Sequence, residues 1–265
     1  MVHWQDADLF KTLLDRKRIG VVSDFDGTLS VLTSDPYKPS ITPRNRDLLI
    51  ALAEKLPLVS VVSGRSAADL RERVGIPGLV YVGGHGLERW MDGAVVPIPE
   101  AHHYHEPINQ LIQQLDLQPG MSIENKGATM SIHYRNAPDP TAIFQTYDPV
   151  MRRLAEQHGL DYFTGKNIFE FRPPLEVNKG TVLRDLVGEY QLDGAIFLGD
   201  DVTDADGMKM ARQLRQAGTC FAVGLAVESH NMPQVVRESA DLLARDIPDV
   251  EALLDSLLQA VSEQG

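Results

Sequence analysis

Two carboxylates one residue apart, Asp24 and Asp26, stand after a short apolar run, Ile19 to Val22, and directly before Gly27. Such a run, closed by turn residues, predicts a buried strand with the acids at its end. Aspartate and glycine also make ordinary turns, so this segment alone leaves a plain strand exit open. Two further apolar runs end in the same manner. Leu58 to Val62 leads to Ser63-Gly64-Arg65, and Ala195 to Leu198 leads to Gly199-Asp200-Asp201-Val202-Thr203-Asp204. In an open parallel sheet the carboxyl ends of the strands line one crevice, so these three ends are expected to converge. Carboxylates gathered in that way repel one another unless a cation sits among them. Oxygen donors with no Cys or His in ligand spacing beside them select a hard ion such as Mg²⁺.

The elements that must hold these residues follow from periodicity and punctuation. Leu9 to Leu14 predicts an amphipathic helix. Thr42-Pro43 is a helix start signal leading through Leu48, Leu49, Leu52 and Ala53, and Ser66 with Asp69 three residues on reads as a capping box. Leu79 to Val82 predicts another strand, followed by the turn Gly83-Gly84-His85-Gly86 and a hairpin around Asp92-Gly93. Between Pro99 and Pro173 the rhythm becomes helix, two strands, helix, two strands, as in a small antiparallel sheet with helices on one face. The first rhythm then resumes with a helix opened by Asn178-Lys179-Gly180, a helix through Met208, Ala211 and Leu214, a strand at Phe221 to Val223, and a closing helix from Ile247 to Val261. The expected fold is α/β: a three-layer, parallel-sheet, Rossmann-like core, residues 1–98 and 174–265, with an inserted smaller α+β domain, residues 99–173.

Composition narrows the function classes. The chain has 265 residues, 43% hydrophobic and 23% charged, as in an ordinary globular protein, with a formal net charge of −12. That charge argues against non-specific nucleic-acid binding, which needs a basic face. No apolar run is long enough to cross a bilayer, and Met1 to Asp8 lacks the basic-then-apolar order of a secretory signal, so no membrane partner and a cytoplasmic location are expected. The single cysteine, Cys220, lies in an apolar run and reads as a packed thiol rather than a nucleophile. His102, His103 and His105 fit no common metal-ligand spacing and read as a solvated surface.

Taken together, Asp24-Phe25-Asp26-Gly27-Thr28, Ser63-Gly64, Lys179 and Gly199 to Asp204 resemble, in order, the four motifs of the haloacid dehalogenase superfamily of phosphotransferases. With Ser63-Gly64-Arg65, His85-Gly86, Glu124-Asn125-Lys126, His133-Tyr134-Arg135, Glu170-Phe171-Arg172-Pro173 and Asn178-Lys179-Gly180, the chain is similar to the trehalose-6-phosphate phosphatase family, whose cap is of the kind acting on sugar phosphates. The resemblance implies Asp24 as nucleophile, Asp26 as general acid and base, and Lys179 as a third catalytic group. It implies Mg²⁺ held by Asp24, Asp26 through its backbone carbonyl, Asp200 and Asp204. It further implies Ser63, Gly64 and Arg65 at the phosphoryl group, and Glu124, Lys126 and Glu170 on the sugar rings. The substrate implied is a phosphorylated disaccharide, and the chain is expected to act as a monomer. The family usually carries acids at both positions after Asp204, where this chain has Ala205 and then Asp206, so one supporting contact near the metal is expected to be absent.

Several readings stay open at this level. Glu124 and Lys126 share one strand face, which also suits a surface charge pair. The substrate is trehalose 6-phosphate on the leading reading, or a sucrose, glucosylglycerol or mannosylglycerate precursor on another. A sugar phosphomutase would instead return the phosphoryl group to a different hydroxyl and release no net phosphate. A catalytically silent partner of a trehalose-making enzyme would not need Asp24, Asp26, Ser63, Lys179 and Asp200 together.

Overall fold

The protein is described by a computed structural model covering residues 2–31, 40–229 and 232–263. In chain order the first segment carries β1 (Val2–His3), α1 (Asp8–Leu14), β2 (Ile19–Ser23), α2 (Pro43–Ala53), β3 (Leu58–Val62), α3 (Ala67–Val74), β4 (Val80–Gly83), β5 (Glu88–Met91) and β6 (Ala94–Pro97). Next come α4 (His105–Gln113), β7 (Ser122–Asn125), β8 (Met130–His133), α5 (Pro140–Gln157), β9 (Asp161–Gly165) and β10 (Ile168–Arg172). The last segment carries α6 (Lys179–Glu189), β11 (Gly194–Gly199), α7 (Asp204–Gln216), β12 (Phe221–Val227), α8 (Gln234–Ser239), β13 (Leu242–Ala244) and α9 (Ile247–Glu263). Contacts divide the chain into two units, with seams at Val96/Pro97 and Glu176/Val177.

In the larger unit one sheet has the strand order β1-β13-β12-β11-β2-β3-β4-β5-β6. Pairing is parallel from β1 through β4 and antiparallel between β4 and β5. The three central strands β2, β3 and β11 are buried at every residue, because helices cover both faces. On one face Val21, Val59, Ile196 and Leu225 pack with Phe10, Leu49, Leu70 and Leu253; on the other Val22, Val62, Phe197 and Ala226 pack with Leu183, Leu186, Met208 and Val236. Alternate residues of one strand thus feed two cores, which produces the unbroken apolar runs of the sequence.

The helix starts obey their caps. Thr42 accepts the Asn45 N–H with Pro43 in the first turn of α2, and Asn178 and Thr181 form a reciprocal capping box at α6. The box expected at Ser66 forms only by half. Ser66 accepts the Asp69 N–H, but the Asp69 carboxylate pairs with Arg65, just before the cap, and with Arg73, one turn further along the helix. Three elements escape the periodicity argument: β1 and β13, which are too short to show a period, and the six-residue α8. The strand at Phe221 continues to Val227, and α7 begins at Asp204.

The smaller unit is a four-stranded antiparallel sheet in the order β7-β8-β10-β9. Its core joins Ile108 and Leu111 of α4 and Met151 and Ala155 of α5 to Met130, Ile132, Phe169 and Phe171. Both helices therefore cover one face of this sheet. His102 and His103 are exposed and His105 is half-buried.

Candidate active site

The central strands present their ends in register. The Asp24 N–H donates to the Leu198 carbonyl at 2.8 Å, which ties the exit of β2 to the exit of β11. The turn that follows needs glycine. Gly27 has φ +84°, and a β-carbon there would lie 2.3 Å from Asp200 Oδ2. A side chain would thus strain the backbone and push Asp200 out of the cluster. Single oxygens of Asp24, Asp200 and Asp204 lie within 4.8 Å of one another.

Lys179, the first residue of α6, reaches into this cluster while almost fully buried. Its ammonium donates to Asp24 Oδ1 and to Asp204 Oδ1, both at 2.6 Å. Asp204 Oδ2 accepts the Asp200 and Asp201 N–H groups, each at 3.0 Å. Asp204 thereby uses both oxygens to hold a lysine and a loop. Asp201 caps the same turn through the Thr203 N–H and hydroxyl. Ala205 is buried, and among the side chains of the loop before it Asp201 and Asp204 hold the turn.

One cation among this many acids leaves the cluster short of positive charge. Burial first, then Asp204 and Asp200, push the Asp24 carboxyl well up against the pull of Lys179. Burial, Asp204 and Asp201 push Asp200 up to about 7. Burial works against the Lys179 charge, but Asp204 and Asp24 outweigh it and hold the ammonium above its usual value. Acids raised in this way by burial and by each other accept a divalent cation readily, and all-oxygen donors suit a hard one.

The loop after β3 supplies the other wall. Ser63 is buried, its hydroxyl accepting the Arg65 N–H at 3.2 Å and its carbonyl accepting the His85 N–H at 3.0 Å. A β-carbon on Gly64 would lie 2.4 Å from His85 Nε2, so glycine is needed for the histidine to pack here. His85 itself has φ 59°, a left-handed conformation uncommon outside glycine. Arg65 directs its fork at Asp26, donating from Nε at 2.6 Å and from Nη2 at 2.8 Å, and bonds Asp69 through Nη1 at 3.0 Å. Sequence reasoning placed Arg65 on the substrate and missed this pairing, which joins residues 39 positions apart. A cavity of about 320 Å³, bounded by Gly27, Asp200, Val227, Glu228 and Ile247 among others, opens beside Asp200.

In the smaller unit, Glu124, Lys126 and Glu170 lie on the sheet face that bears no helix. Glu124 Oε2 is 3.0 Å from His133 Nε2 and 3.5 Å from Lys126 Nζ, and Lys126 also donates to Ser131 Oγ at 3.1 Å. The Lys126 side chain is 8% exposed, which does not suit a solvated charge pair. Burial raises the Glu124 carboxyl, but His133 and Lys126 more than offset this and hold it at about 2. Glu170 pairs with Arg172 at 2.5 Å. The register pairs Ser122 with His133, which sets the histidine beside Glu124; the sequence offers only the strand alternation that assigns His133 to one face.

These features define a haloacid-dehalogenase-type core carrying an inserted α+β unit. A family profile described as trehalose-phosphatase matches residues 22–241, and the chain belongs to that family. A trehalose-phosphate phosphatase of Mycobacterium tuberculosis is 32% identical over 234 residues, 83% of this chain and 54% of the relative. One of Mycobacterium avium is 31% identical over 258 residues, 92% of this chain and 63% of the relative. The chain thus spans little more than half the length of these curated relatives. Among solved structures, the C-terminal domain of a Candida albicans trehalose-6-phosphate phosphatase has a TM-score of 0.74 at 22% identity, with 95% of this chain and 96% of that chain covered. A trehalose-6-phosphate phosphatase related protein has a TM-score of 0.72 at 20% identity, covering 93% and 100%. A Candida albicans trehalose synthase regulatory protein domain shares the fold at a TM-score of 0.66 and 13% identity, with 93% of this chain and 96% of that chain covered. Architecture alone therefore does not decide activity.

Proposed function

We propose that this chain is a Mg²⁺-dependent phosphatase that hydrolyses trehalose 6-phosphate to trehalose and phosphate through an aspartyl-phosphate on Asp24. The observation that carries the reading is the buried contact of Lys179 with Asp24 and Asp204, with Asp200 alongside. Such a site has no structural need for three acids, and a packed apolar group would serve stability better.

Asp24 attacks phosphorus as the bond to the sugar oxygen breaks, and Asp26 gives that oxygen its proton. Asp26 then takes a proton from the water that attacks the aspartyl-phosphate, which releases phosphate and restores Asp24. Lys179 and Ser63 position the phosphoryl oxygens, and the Lys179 ammonium balances their charge. Arg65 fixes the Asp26 side chain by its two-pronged contact, and one prong must part for that side chain to carry the proton to the sugar oxygen. Asp24, Asp200 and the Asp26 carbonyl would hold Mg²⁺, with Asp204 keeping Lys179 and the Asp200 loop in place. The ion would supply charge to the transferring phosphoryl group. On the smaller unit, Glu124, Lys126 and Glu170 take the sugar hydroxyls. The chain acts without nucleic acid or membrane, in the cytoplasm and as a monomer.

A phosphate-release assay over several sugar phosphates, with and without Mg²⁺, tests this. Trehalose 6-phosphate should be preferred, chelation should abolish turnover, and Asp24→Asn should remove it. Turnover that survives Asp24→Asn sinks the mechanism, and equal rates on aryl phosphates and trehalose 6-phosphate sink the substrate.

A further inference from the structure

The helix-free face of the smaller sheet carries an aromatic side chain that the hydroxyl-binding reading leaves unused. Strand register places four residues in one transverse row: Glu124 opposite Ser131, Ser131 opposite Glu170, and Glu170 opposite Phe163. Directly paired residues point to the same face of a sheet. With strands ~4.8 Å apart, the row runs ~14 Å from β7 to β9. The neighbouring aromatic residues Tyr162, Phe169 and Phe171 pack together on the helix side. Phe163 points the other way and is 45% exposed. The Arg172 guanidinium lies 4.9 Å from its ring centroid, and the same guanidinium pairs with Glu170 at 2.5 Å. An arginine shared between a carboxylate and a ring fixes both.

A pyranose ring has two kinds of surface, a rim of hydroxyls and a flat side of C–H groups. The row offers carboxylates and a hydroxyl for the first and, at its end, an apolar ring for the second. We infer that Phe163 is a specificity-determining residue that stacks against the C–H side of a pyranose ring whose hydroxyls are held by Glu170 and its neighbours. This rests on the reading of the smaller unit as the sugar-binding unit. Aromatic area at a wet site binds without the ordering cost of a long aliphatic chain, and one such contact is worth about tenfold in affinity.

The test compares kcat/KM for trehalose 6-phosphate with that for p-nitrophenyl phosphate in the native chain and in Phe163→Ala, Phe163→Leu and Phe163→Trp. The expected result is a fall of about tenfold in the ratio for Phe163→Ala, carried by KM for the sugar phosphate, a similar fall for Phe163→Leu, and retention in Phe163→Trp. Leucine keeps the bulk at this edge strand, so its variant carries the test should alanine lower the melting temperature. A native ratio that persists in Phe163→Ala, or that leucine preserves as well as tryptophan, overturns the stacking role alone. Equal loss on both substrates overturns it in favour of a structural one. A native chain with no preference for the disaccharide phosphate overturns this role and the proposed function together.

Discussion

Lys179 separates two roles that a single residue can combine. Its ammonium is the internal counter-charge of Asp24 and Asp204, so on the proposed mechanism its replacement should act on chemistry as well as on stability. Lys179→Met is expected to lower kcat by about 10²–10³, as other single transition-state donors do. Without bound metal it is also expected to cost about 3–5 kcal/mol, because two buried carboxylates lose their partner. Single-turnover phosphate release and denaturant unfolding read the two separately, and an unchanged kcat would remove Lys179 from the mechanism. Gly27 permits a complementary experiment. With φ +84° and Asp200 Oδ2 2.3 Å from the place of a β-carbon, Gly27→Ala is expected to weaken Mg²⁺ binding and to destabilise the turn by about 1–3 kcal/mol. Calorimetric titration with Mg²⁺ would show it, and native affinity would mean that the loop can yield.

The way each element is specified decides how much of the chain its sequence reveals. β2, β3 and β11 are read with ease, since covering both faces of a strand makes it apolar throughout, and their polar exits then mark Asp24, Ser63 and Asp200. β1 and β13 hide because their pairing is tertiary: two residues of β1 align with Leu242 and Leu243. The Asp249 carboxylate bonds His3, Trp4 and Arg245 and completes that edge. The pairing of Arg65 with Asp26 hides for a similar reason, since it depends on where two loops put long side chains. At Ser66 a local rule lost to competition, two arginines attracting Asp69 more strongly than one backbone N–H. At α6 the local rule won, and it places the buried lysine of the acid cluster. Asn178 accepts the Gly180 and Thr181 N–H groups at 2.8 and 3.0 Å, which fixes Lys179 as the first helical residue. Asn178→Ala should cost about 1 kcal/mol and lower kcat, whereas Asn178→Asp keeps an acceptor and should preserve both. Thermal unfolding alongside steady-state rates distinguishes them, and a lost cap with native kcat would show that Lys179 is placed by packing alone.

At the scale of the molecule, the acids at the strand exits make stability depend on pH and metal together. Asp200, with an ordinary value of 3.8, is pushed up to about 7 in the folded chain, and Asp24 is raised as well. The folded state therefore holds protons there more tightly than the unfolded chain does. Where the native state binds more protons, stability falls as pH rises. For Asp200 the loss runs between its unfolded and folded values, from about pH 4 to about pH 7, and amounts to a few kcal/mol on the scale of ~1.4 kcal/mol per unit. A divalent cation competes with those protons for the same oxygens, so its affinity should climb over the same interval. The stabilisation conferred by saturating Mg²⁺ should then be small at about pH 5.5 and large at about pH 8, with protons released on binding near neutrality. Scanning calorimetry across that range, with titrations in buffers of differing ionisation enthalpy, measures both effects. A Mg²⁺-induced shift that does not vary with pH would mean that the ion binds elsewhere. A shift that persists undiminished in Asp200→Asn would mean that Asp200 is not among its ligands.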